Sequence, residues 1–337
     1  MKYWVRWVFS VLFALGFLGL GGSAWPQGRE TVKTEEVYVK KTTLVEKVKG
    51  GEIDWGKEMF YASGEGVVPQ TSQEPNRTRA YLKAKGYARM QAIANLLMVI
   101  EGTAISYEGY GRDYMAQDET LRQKIEGFVR GVEILHEEKT TIEGDTIVKV
   151  TVGTGMYGKA NPGTAFLDKV AESAAAPEKE RPKPQPVQVE IPKETPKPVE
   201  PAPEPTPAAQ EQQGPFTSLV VDARGFNVAR AISPKIRQAD GSEVWGTTRV
   251  SPEFAIEKGI VSYARTMETA RSSGRCGDSP LMVKAIGRAG GKAMCDAVIS
   301  DEDAALILAE NAKTKFLDQC KVIFIVDPPR SLRSGRK

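Results

Sequence analysis

At residues 77–100 the chain reads RTRAYLKAKGYARMQAIANLLMVI, and this stretch decides the fold of its first half. Alanine recurs at every fourth position, which predicts a long helix with one small-residue face that can approach a sheet closely. Asn76 or Thr78 is expected to cap the start of this helix. The alanines are Ala80, Ala84, Ala88 and Ala92, and the same buried stripe is expected to include Tyr87, Ala94, Leu97 and Met98.

Strand patterns lie on both sides of this helix. Before it, residues 59–66 form a strand pattern that ends in glycines, which are expected to form a turn. After it, a short helix is predicted at residues 118–127, and residues 142–145 (IEGD) are a hairpin signal between two strands. This order predicts an α+β fold with helices on one face of a small, mainly antiparallel sheet. The remaining predicted strands are residues 53–55, 103–107, 129–141 and 146–152.

The composition changes abruptly between Glu172 and Pro215, where proline alternates with Lys, Glu, Val and Ala. Such a stretch cannot bury enough apolar surface to offset its ordering entropy, so a disordered, extended linker is predicted. It divides the chain into two small domains. The predicted parts are a signal peptide (1–24), an N-terminal extension (25–52), a first domain (53–168), the linker (169–215), a second domain (216–328) and a basic disordered tail (329–337).

The second domain is also predicted to be α+β, with helices on a mainly antiparallel sheet. Pro252 is expected to start a helix that runs through Arg271. Ser300 is expected to cap another helix that runs to Ala312. The predicted strands are residues 218–225, 232–237, 243–245, 281–286 and 321–326.

The first two dozen residues predict export. Lys2 and Arg6 precede the apolar run Trp7 to Leu20, and small residues follow it. The run is only about 14 residues, whereas a helix that crosses a membrane needs ~20. Cleavage is expected after Ala24, and an uncleaved anchor is the alternative and the one membrane contact expected. Either way the rest of the chain works outside the cytoplasm, so no nucleotide or nicotinamide cofactor is expected.

The charge and the cysteine positions argue against two further classes of function, nucleic-acid binding and metal binding. The formal net charge is +3 with acids and bases interspersed, so no nucleic-acid partner is predicted. The cysteines lie far apart without zinc-ligand spacing, and no metal site is predicted. In an oxidising compartment Cys276 and Cys295 are the preferred disulfide pair, while Cys320 is expected to be a small buried residue.

Four motifs receive structural interpretations. Residues 153–158 (GTGMYG) match the dinucleotide fingerprint, but no βαβ unit surrounds them. His136 is the only histidine, and no nucleophile signature accompanies it, so no catalytic residue is predicted. Residues 301–303 (DED) are expected in the first turn of a helix rather than in a calcium loop. Asp222 and Arg224 are expected to form an internal ion pair or a turn.

Short motifs of the first domain form a recognisable set: residues 53–55 (IDW), 61–66 (YASGEG), 95–97 (NLL), 102–106 (GTAIS), 127–131 (GFVRG) and 148–152 (VKVTV). Together they resemble bacterial envelope proteins of the Lpp-twenty lipoprotein type and the related N-terminal domain of the flagellar T-ring protein FlgT. The resemblance covers residues 53–157 and implies a non-enzymatic envelope or flagellum-associated component. The lipoprotein cysteine is missing here. Residues 216–327 resemble uncharacterised C-terminal domains of exported bacterial proteins, which carry no assigned activity.

The sequence therefore predicts an exported, non-enzymatic envelope protein in the periplasm or at the outer-membrane periphery. Its expected partners are envelope or outer-membrane proteins, with flagellar components among them. The alternative is a periplasmic small-molecule or glycan binder with a pocket near Trp245 and Tyr263. A third interpretation, an envelope hydrolase built on His136, has no visible pairing of a nucleophile with a base.

Overall fold

The structure is a computed structural model, and its described residues are 44–70, 75–103, 119–159, 161–175, 187–192, 215–246, 250–291 and 293–329. The predicted signal peptide, most of the predicted linker and the tail from residue 330 lie outside these residues, as does the predicted strand at 103–107 beyond Thr103. No helix among the described residues is long and apolar enough to cross a membrane. Helices and sheets are both well represented, which confirms the predicted α+β class.

The first region is a five-stranded sheet with helices packed on one face. Its strands are β1 (Val45–Val48), β2 (Gly51–Asp54), β3 (Met59–Val68), β4 (Ile134–Ile142) and β5 (Asp145–Gly155), and its helices are α1 (Arg77–Glu101), α2 (Glu119–Arg130) and α3 (Pro162–Ala175). The strand order is β1-β2-β3-β5-β4, and every neighbouring pair is antiparallel. This confirms the sheet type expected for the first domain.

Helix α1 begins and packs as the alanine spacing predicts. The side-chain oxygen of Asn76 accepts a hydrogen bond from the backbone N–H of Arg79 at 3.0 Å, which caps the first turn. The four alanines are buried against the sheet. The wider buried stripe is wrong at three positions, because the side chains of Tyr87, Ala94 and Met98 are exposed.

The glycines of β3 bring α1 close to the sheet. They do not end the strand, as the sequence suggested, since β3 continues through them to Val68. A Cβ atom on Gly64 would lie 2.2 Å from the carbonyl oxygen of Ala88, and one on Gly66 would lie 2.0 Å from that of Ala84. These positions therefore need glycine for close backbone approach rather than for a turn.

The hairpin between β4 and β5 forms as predicted. Glu143 and Gly144 both have positive φ, 50° and 87°, which fits a two-residue turn with the twist of the strands. Ile142 pairs with Asp145 and Thr141 with Thr146 across it. Strand β4 is the outer strand at this edge of the sheet.

The second region holds two further sheets. Its strands are β6 (Val189–Glu190), β7 (Ser218–Asp222), β8 (Ile236–Arg237), β9 (Glu243–Trp245), β10 (Ser262–Ala264), β11 (Pro280–Lys284), β12 (Gly287–Ala289), β13 (Asp296–Val298) and β14 (Val322–Ile325), and its helices are α4 (Pro252–Lys258), α5 (Met267–Ser272) and α6 (Asp301–Thr314). One sheet has the order β10-β14-β7-β11 and is parallel throughout. The other has the order β6-β12-β13-β8-β9 and is mixed.

The parallel sheet differs from the mainly antiparallel one that the sequence suggested. Strands β7 and β14 are almost entirely buried, and their sequences SLVVD and VIFI are continuous apolar runs rather than alternating ones. Continuous runs of this kind are typical of parallel strands, which are covered on both faces.

The single helix predicted from Pro252 to Arg271 is wrong. It is divided into α4 and α5, with β10 between them. Gly259 ends α4 with φ 76°, and a Cβ atom there would lie 2.3 Å from Cζ of Tyr157. The apolar spacing that suggested a helix belongs instead to Tyr263 and its neighbours in a strand.

Two parts of the predicted linker carry regular structure. Helix α3 continues to Ala175. Strand β6 pairs with β12, where Glu190 lies opposite Arg288 and the two side chains form an ion pair at 2.6 Å. The prediction of a disordered linker is therefore wrong for these two segments. The sequence could not reveal β6, because a strand of two residues has no periodicity.

The two regions pack against each other around a shared hydrophobic core. The rings of Trp55 and Tyr263 meet edge to face with centroids 5.5 Å apart. A guanidinium nitrogen of Arg275 lies 3.1 Å from a carboxylate oxygen of Glu58, and Arg275 also donates to the carbonyl oxygens of Gly259 and Cys320. The second region is therefore fixed to the first by packing as well as by the chain that joins them.

Candidate functional site

Trp245 and Tyr263, the expected pocket residues, are core side chains. Trp245 is fully buried and donates its indole N–H to the carbonyl oxygen of Leu317 at 3.2 Å. The Tyr263 hydroxyl donates to the carbonyl oxygen of Ala231 at 2.9 Å, and burial raises the pKa of that hydroxyl well above its usual value. Their polar atoms are satisfied by the protein itself, so these side chains do not line a ligand site.

All three cysteines are buried thiols, and none of them forms a disulfide. Cys276 packs with one cluster of small apolar residues and Cys295 with another, so the expected Cys276–Cys295 disulfide is not formed. Burial raises the pKa of the Cys320 thiol to about 11 and also raises that of Cys276. Thiols in this state stay protonated and unreactive at neutral pH.

We therefore expect Ellman's reagent to leave the native protein almost unlabelled at pH 8. After unfolding in guanidinium without reductant it should release thiolate from three thiols per chain. The measurement is the absorbance of the released product over time. Labelling of one thiol per unfolded chain would show that a disulfide exists and would contradict the free-thiol assignment.

The other motifs have structural roles. His136 is exposed on β4, and residues 153–158 end β5 and lead into α3. Residues 301–303 form the first turn of α6, where Ser300 accepts from the N–H of Asp303 at 3.1 Å. Asp222 and Arg224 form the expected ion pair at 2.7 Å. Among the described residues no group of three acidic, histidine or cysteine side chains could hold a metal ion.

The feature with the clearest capacity to bind is the open side of β3. Strand β2 pairs only with Met59–Ala62, while β3 itself continues for a further six residues to Val68. Along that extension β3 is paired with β5 on one side. Its other side faces α1, and we call the segment Ser63–Val68 the open edge.

Two side chains of α1 replace the missing strand over the first half of the open edge. Asn95 donates to the carbonyl oxygen of Ser63 at 2.7 Å, and Gln91 accepts from the N–H of Glu65 at 2.7 Å. Because backbone groups alternate in direction along a strand, Val67 must point its N–H and C=O to the same side as Ser63 and Glu65. Among the described residues no hydrogen bond satisfies Val67 on that side.

A groove opens beyond Glu65, where side chains of α1 no longer bond to the edge of β3. It is lined by Val67, Val68, Pro69, Ala80, Lys83, Ala84 and Tyr87 and has a volume of about 320 Å³. Its floor is narrow because Gly66 lets the backbone of α1 lie directly on β3. The side chain of Tyr87 is 59% exposed, so apolar surface stands open on the helix wall of the groove. We call this feature the β3–α1 groove.

The outer face of α1 continues this apolar surface. Leu82 is 58% exposed and Met90 is 66% exposed, and Gly86 lies between them at the same four-residue step. The side of α1 that faces β4 is instead polar and occupied, since Lys85 pairs with Glu137 at 2.7 Å. The helix thus buries its alanine face, uses one flank for ion pairing and exposes apolar side chains elsewhere.

Sequence reasoning missed the groove because it placed Tyr87, which lines the groove, in the buried stripe of α1. The signal was present, since residues 82, 86, 90, 94 and 98 form a second apolar or small-residue stripe at a four-residue step. A helix with apolar residues on two faces cannot bury both against one sheet. The open edge left no such signal, because strand partners are not encoded locally.

The comparison with known families concerns the second region. Residues 218–328 match a family model described as Treponema pallidum Tp0624, second domain. This similarity indicates that the second region is a domain in its own right. No curated protein matches the chain.

Proposed function

We propose that this protein is an exported, non-enzymatic component of the bacterial cell envelope that binds other proteins through α1 and the β3–α1 groove. The observation that carries the proposal is the exposure of Leu82, Tyr87 and Met90 on helix α1. Exposed apolar patches on a folded protein mark interaction sites, and Tyr87 and Met90 lie about one helical turn apart. The sequence supports the location, through the signal-peptide pattern, and the resemblance of residues 53–157 to Lpp-twenty and FlgT supports a role in assembly.

The alternative, a small-molecule or glycan binder, receives no support from Trp245 and Tyr263. Their hydrogen bonds are internal and their rings fill the core. A groove between a strand edge and a helix is a geometry that extended peptides use, because one wall offers main-chain groups and the other offers apolar side chains. Protein partners at the envelope are therefore the class that this surface fits.

Photo-crosslinking in intact cells of the native host tests the proposal. A benzoylphenylalanine residue replaces Met90 in one strain and Ile142 in another, because Ile142 is also exposed but lies at the tip of β4, away from α1. We expect adducts with envelope proteins at position 90 and few or none at position 142. Immunoblotting and mass spectrometry identify the adducts.

A charge at the same place should prevent the interaction. Met90→Lys is expected to reduce the amount of co-purifying partner at least about tenfold, because a central apolar contact of the interface is lost. Ile142→Lys should leave that amount unchanged. Equal crosslinking at both positions, or an unprocessed chain crosslinked only to cytosolic proteins, would overturn the proposal. So would the absence of adducts together with a specific small ligand in native mass spectrometry.

A further inference from the structure

We propose that the outer edge of β12 is a binding site for an extended segment of a partner protein, and that residues 187–192 of this chain fill it as a displaceable internal ligand. We call residues 187–192 the strap. The site lies in the second region, apart from the β3–α1 groove, so it goes beyond the proposed function. A segment that adds to a sheet edge gains affinity from main-chain hydrogen bonds and specificity from alternate side chains.

The strap joins its sheet from outside the domain to which the sheet belongs. Strands β8, β9, β12 and β13 lie within residues 218–328, the span that the family model matches, whereas β6 precedes that span. Without the strap β12 would be the outer strand, because the order of the sheet is β6-β12-β13-β8-β9. The domain therefore has an open edge of its own, which a segment of the proline-rich stretch covers.

The backbone of β12 fits an added strand closely. It pairs with the strap in an antiparallel register, and the N–H of Gly290 donates to the carbonyl oxygen of Gln188 at 3.3 Å. A Cβ atom on Gly287 would lie 2.4 Å from the carbonyl oxygen of Glu190. Glycine at this position therefore allows an approach that a larger residue would prevent.

The side chains of the strap show what the site selects. Two guanidinium nitrogens of Arg288 lie 2.8 and 2.6 Å from one carboxylate oxygen of Glu190. On the other face of the strap, methyl carbons of Val187 and Val189 would lie 3.8 and 3.6 Å from a Cβ atom on Gly241. The site therefore fits an extended segment with apolar residues at alternate positions and one carboxylate opposite Arg288.

The strap is held weakly enough to be displaced. Its strand is two residues long, and the side chains of Gln188, Glu190 and Ile191 are exposed. A tethered segment acts at an effective concentration of about millimolar, so a partner segment that binds more tightly than the strap can replace it. Arg288 stays oriented for that partner, because it also donates to the carbonyl oxygen of Asn227 at 3.2 Å.

Fluorescence anisotropy with a synthetic peptide tests the site. The probe is acetyl-PVQVEIP, residues 186–192, with an uncharged fluorophore at its C-terminus. A full-length variant in which GSGSGS replaces the strap should bind this peptide saturably. The native chain should bind it about tenfold more weakly, because its own strap competes. No binding by the GSGSGS variant at millimolar concentration would overturn the proposal, and so would equal binding by the native chain.

A charge exchange locates the carboxylate of the ligand. The GSGSGS variant should bind PVQVKIP several-fold more weakly than PVQVEIP, and adding Arg288→Glu should reverse this preference. Lys284→Glu is the matched control, because Lys284 is exposed at the end of β11 in the other sheet of the region, and it should change binding less than about twofold. An unchanged preference in the Arg288→Glu protein would contradict the assigned site.

A reversible lock tests displacement in a chain that keeps its strap. Val189 and Ala289 lie directly opposite each other, so Val189→Cys with Ala289→Cys should form a disulfide on oxidation. The oxidised protein should not bind PVQVEIP. Reduction should restore native binding, because the three cysteines of the chain form no disulfide of their own. Equal binding by the oxidised and reduced forms would place the peptide elsewhere and overturn the proposal.

Two measurements on the unmodified chain complete the test. The strap amides should exchange hydrogen faster than the amides that join β12 to β13, because the strap opens locally. Equal protection would show that the strap is permanent and would contradict displacement. Light scattering should show a monomer. A dimer that is lost in the GSGSGS variant would make a second copy of this chain the occupant, and it would overturn the assignment to a partner protein.

Discussion

Gly66→Val is expected to leave the chain unable to fold into its native structure. The new Cβ would lie 2.0 Å from the carbonyl oxygen of Ala84 and 2.7 Å from its carbon, and both atoms belong to the backbone of α1. A side chain cannot rotate away from such a contact, so α1 would have to move off β3. The interface that would open contains the buried alanines of α1 and the valines of β5.

The expected loss is about 4 kcal/mol or more in the free energy of unfolding, which is a large part of what a typical domain has. Guanidinium unfolding followed by far-UV circular dichroism measures it, and the soluble yield gives a second readout. Gly86→Ala is the matched control. Gly86 lies in the same helix with nothing within 4 Å of an added Cβ, so alanine there should stabilise by about 0.5–1 kcal/mol. Similar stability of Gly66→Val and the parent chain would contradict the close approach of α1 to β3.

Asp296→Ala is expected to destabilise the second region by about 3–5 kcal/mol, the range for breaking a buried ion pair from one side. Asp296 is fully buried, and one of its carboxylate oxygens lies 2.7 Å from Nε of Arg237, whose side chain is 4% exposed. The other oxygen accepts from the backbone N–H of Lys235 at 3.0 Å. Alanine would remove the carboxylate that pairs with the buried Arg237 charge.

Two comparisons separate the ion pair from a simple loss of packing. The double variant Arg237→Met with Asp296→Leu removes both charges and should be more stable than Asp296→Ala alone, because no unpaired charge remains. Arg130→Ala, which breaks an exposed pair with Glu126 at 3.5 Å, should cost less than about 0.5 kcal/mol. Thermal unfolding of the four proteins gives the ranking. If Asp296→Ala and Arg130→Ala lost the same stability, the buried pair would contribute no more than a surface one.

The local elements of this fold could be predicted where one physical rule acted alone. Helix α1 followed from alanine spacing and the Asn76 cap, and the β4–β5 hairpin followed from Glu143 and Gly144. The Ser300 cap of α6 followed from the same reasoning. Each of these features depends on residues that lie close together in the sequence, so the local pattern is enough to predict it.

Long-range features could not be predicted in this way. The glycines of β3 looked like a turn because their reason lies across the sheet, at Ala84 and Ala88. The break at Gly259 likewise depends on Tyr157, about a hundred residues earlier. The candidate site belongs to this group, since an open edge exists only when β2 ends before β3 does. Tyr87, which lines its helix wall, was visible in the sequence but was assigned to the buried stripe.

Because Gly259 contacts Tyr157, the residues that one region can accept at this contact depend on those of the other region. The phenol ring occupies the space of any side chain at position 259, and φ there is 76°, so two independent constraints hold that glycine. A relative that acquired a larger residue at this position would need a smaller one in place of Tyr157. We therefore expect positions 157 and 259 to covary among relatives. A chimera that took only one of the two regions from a relative would have poorly matched side chains at this contact.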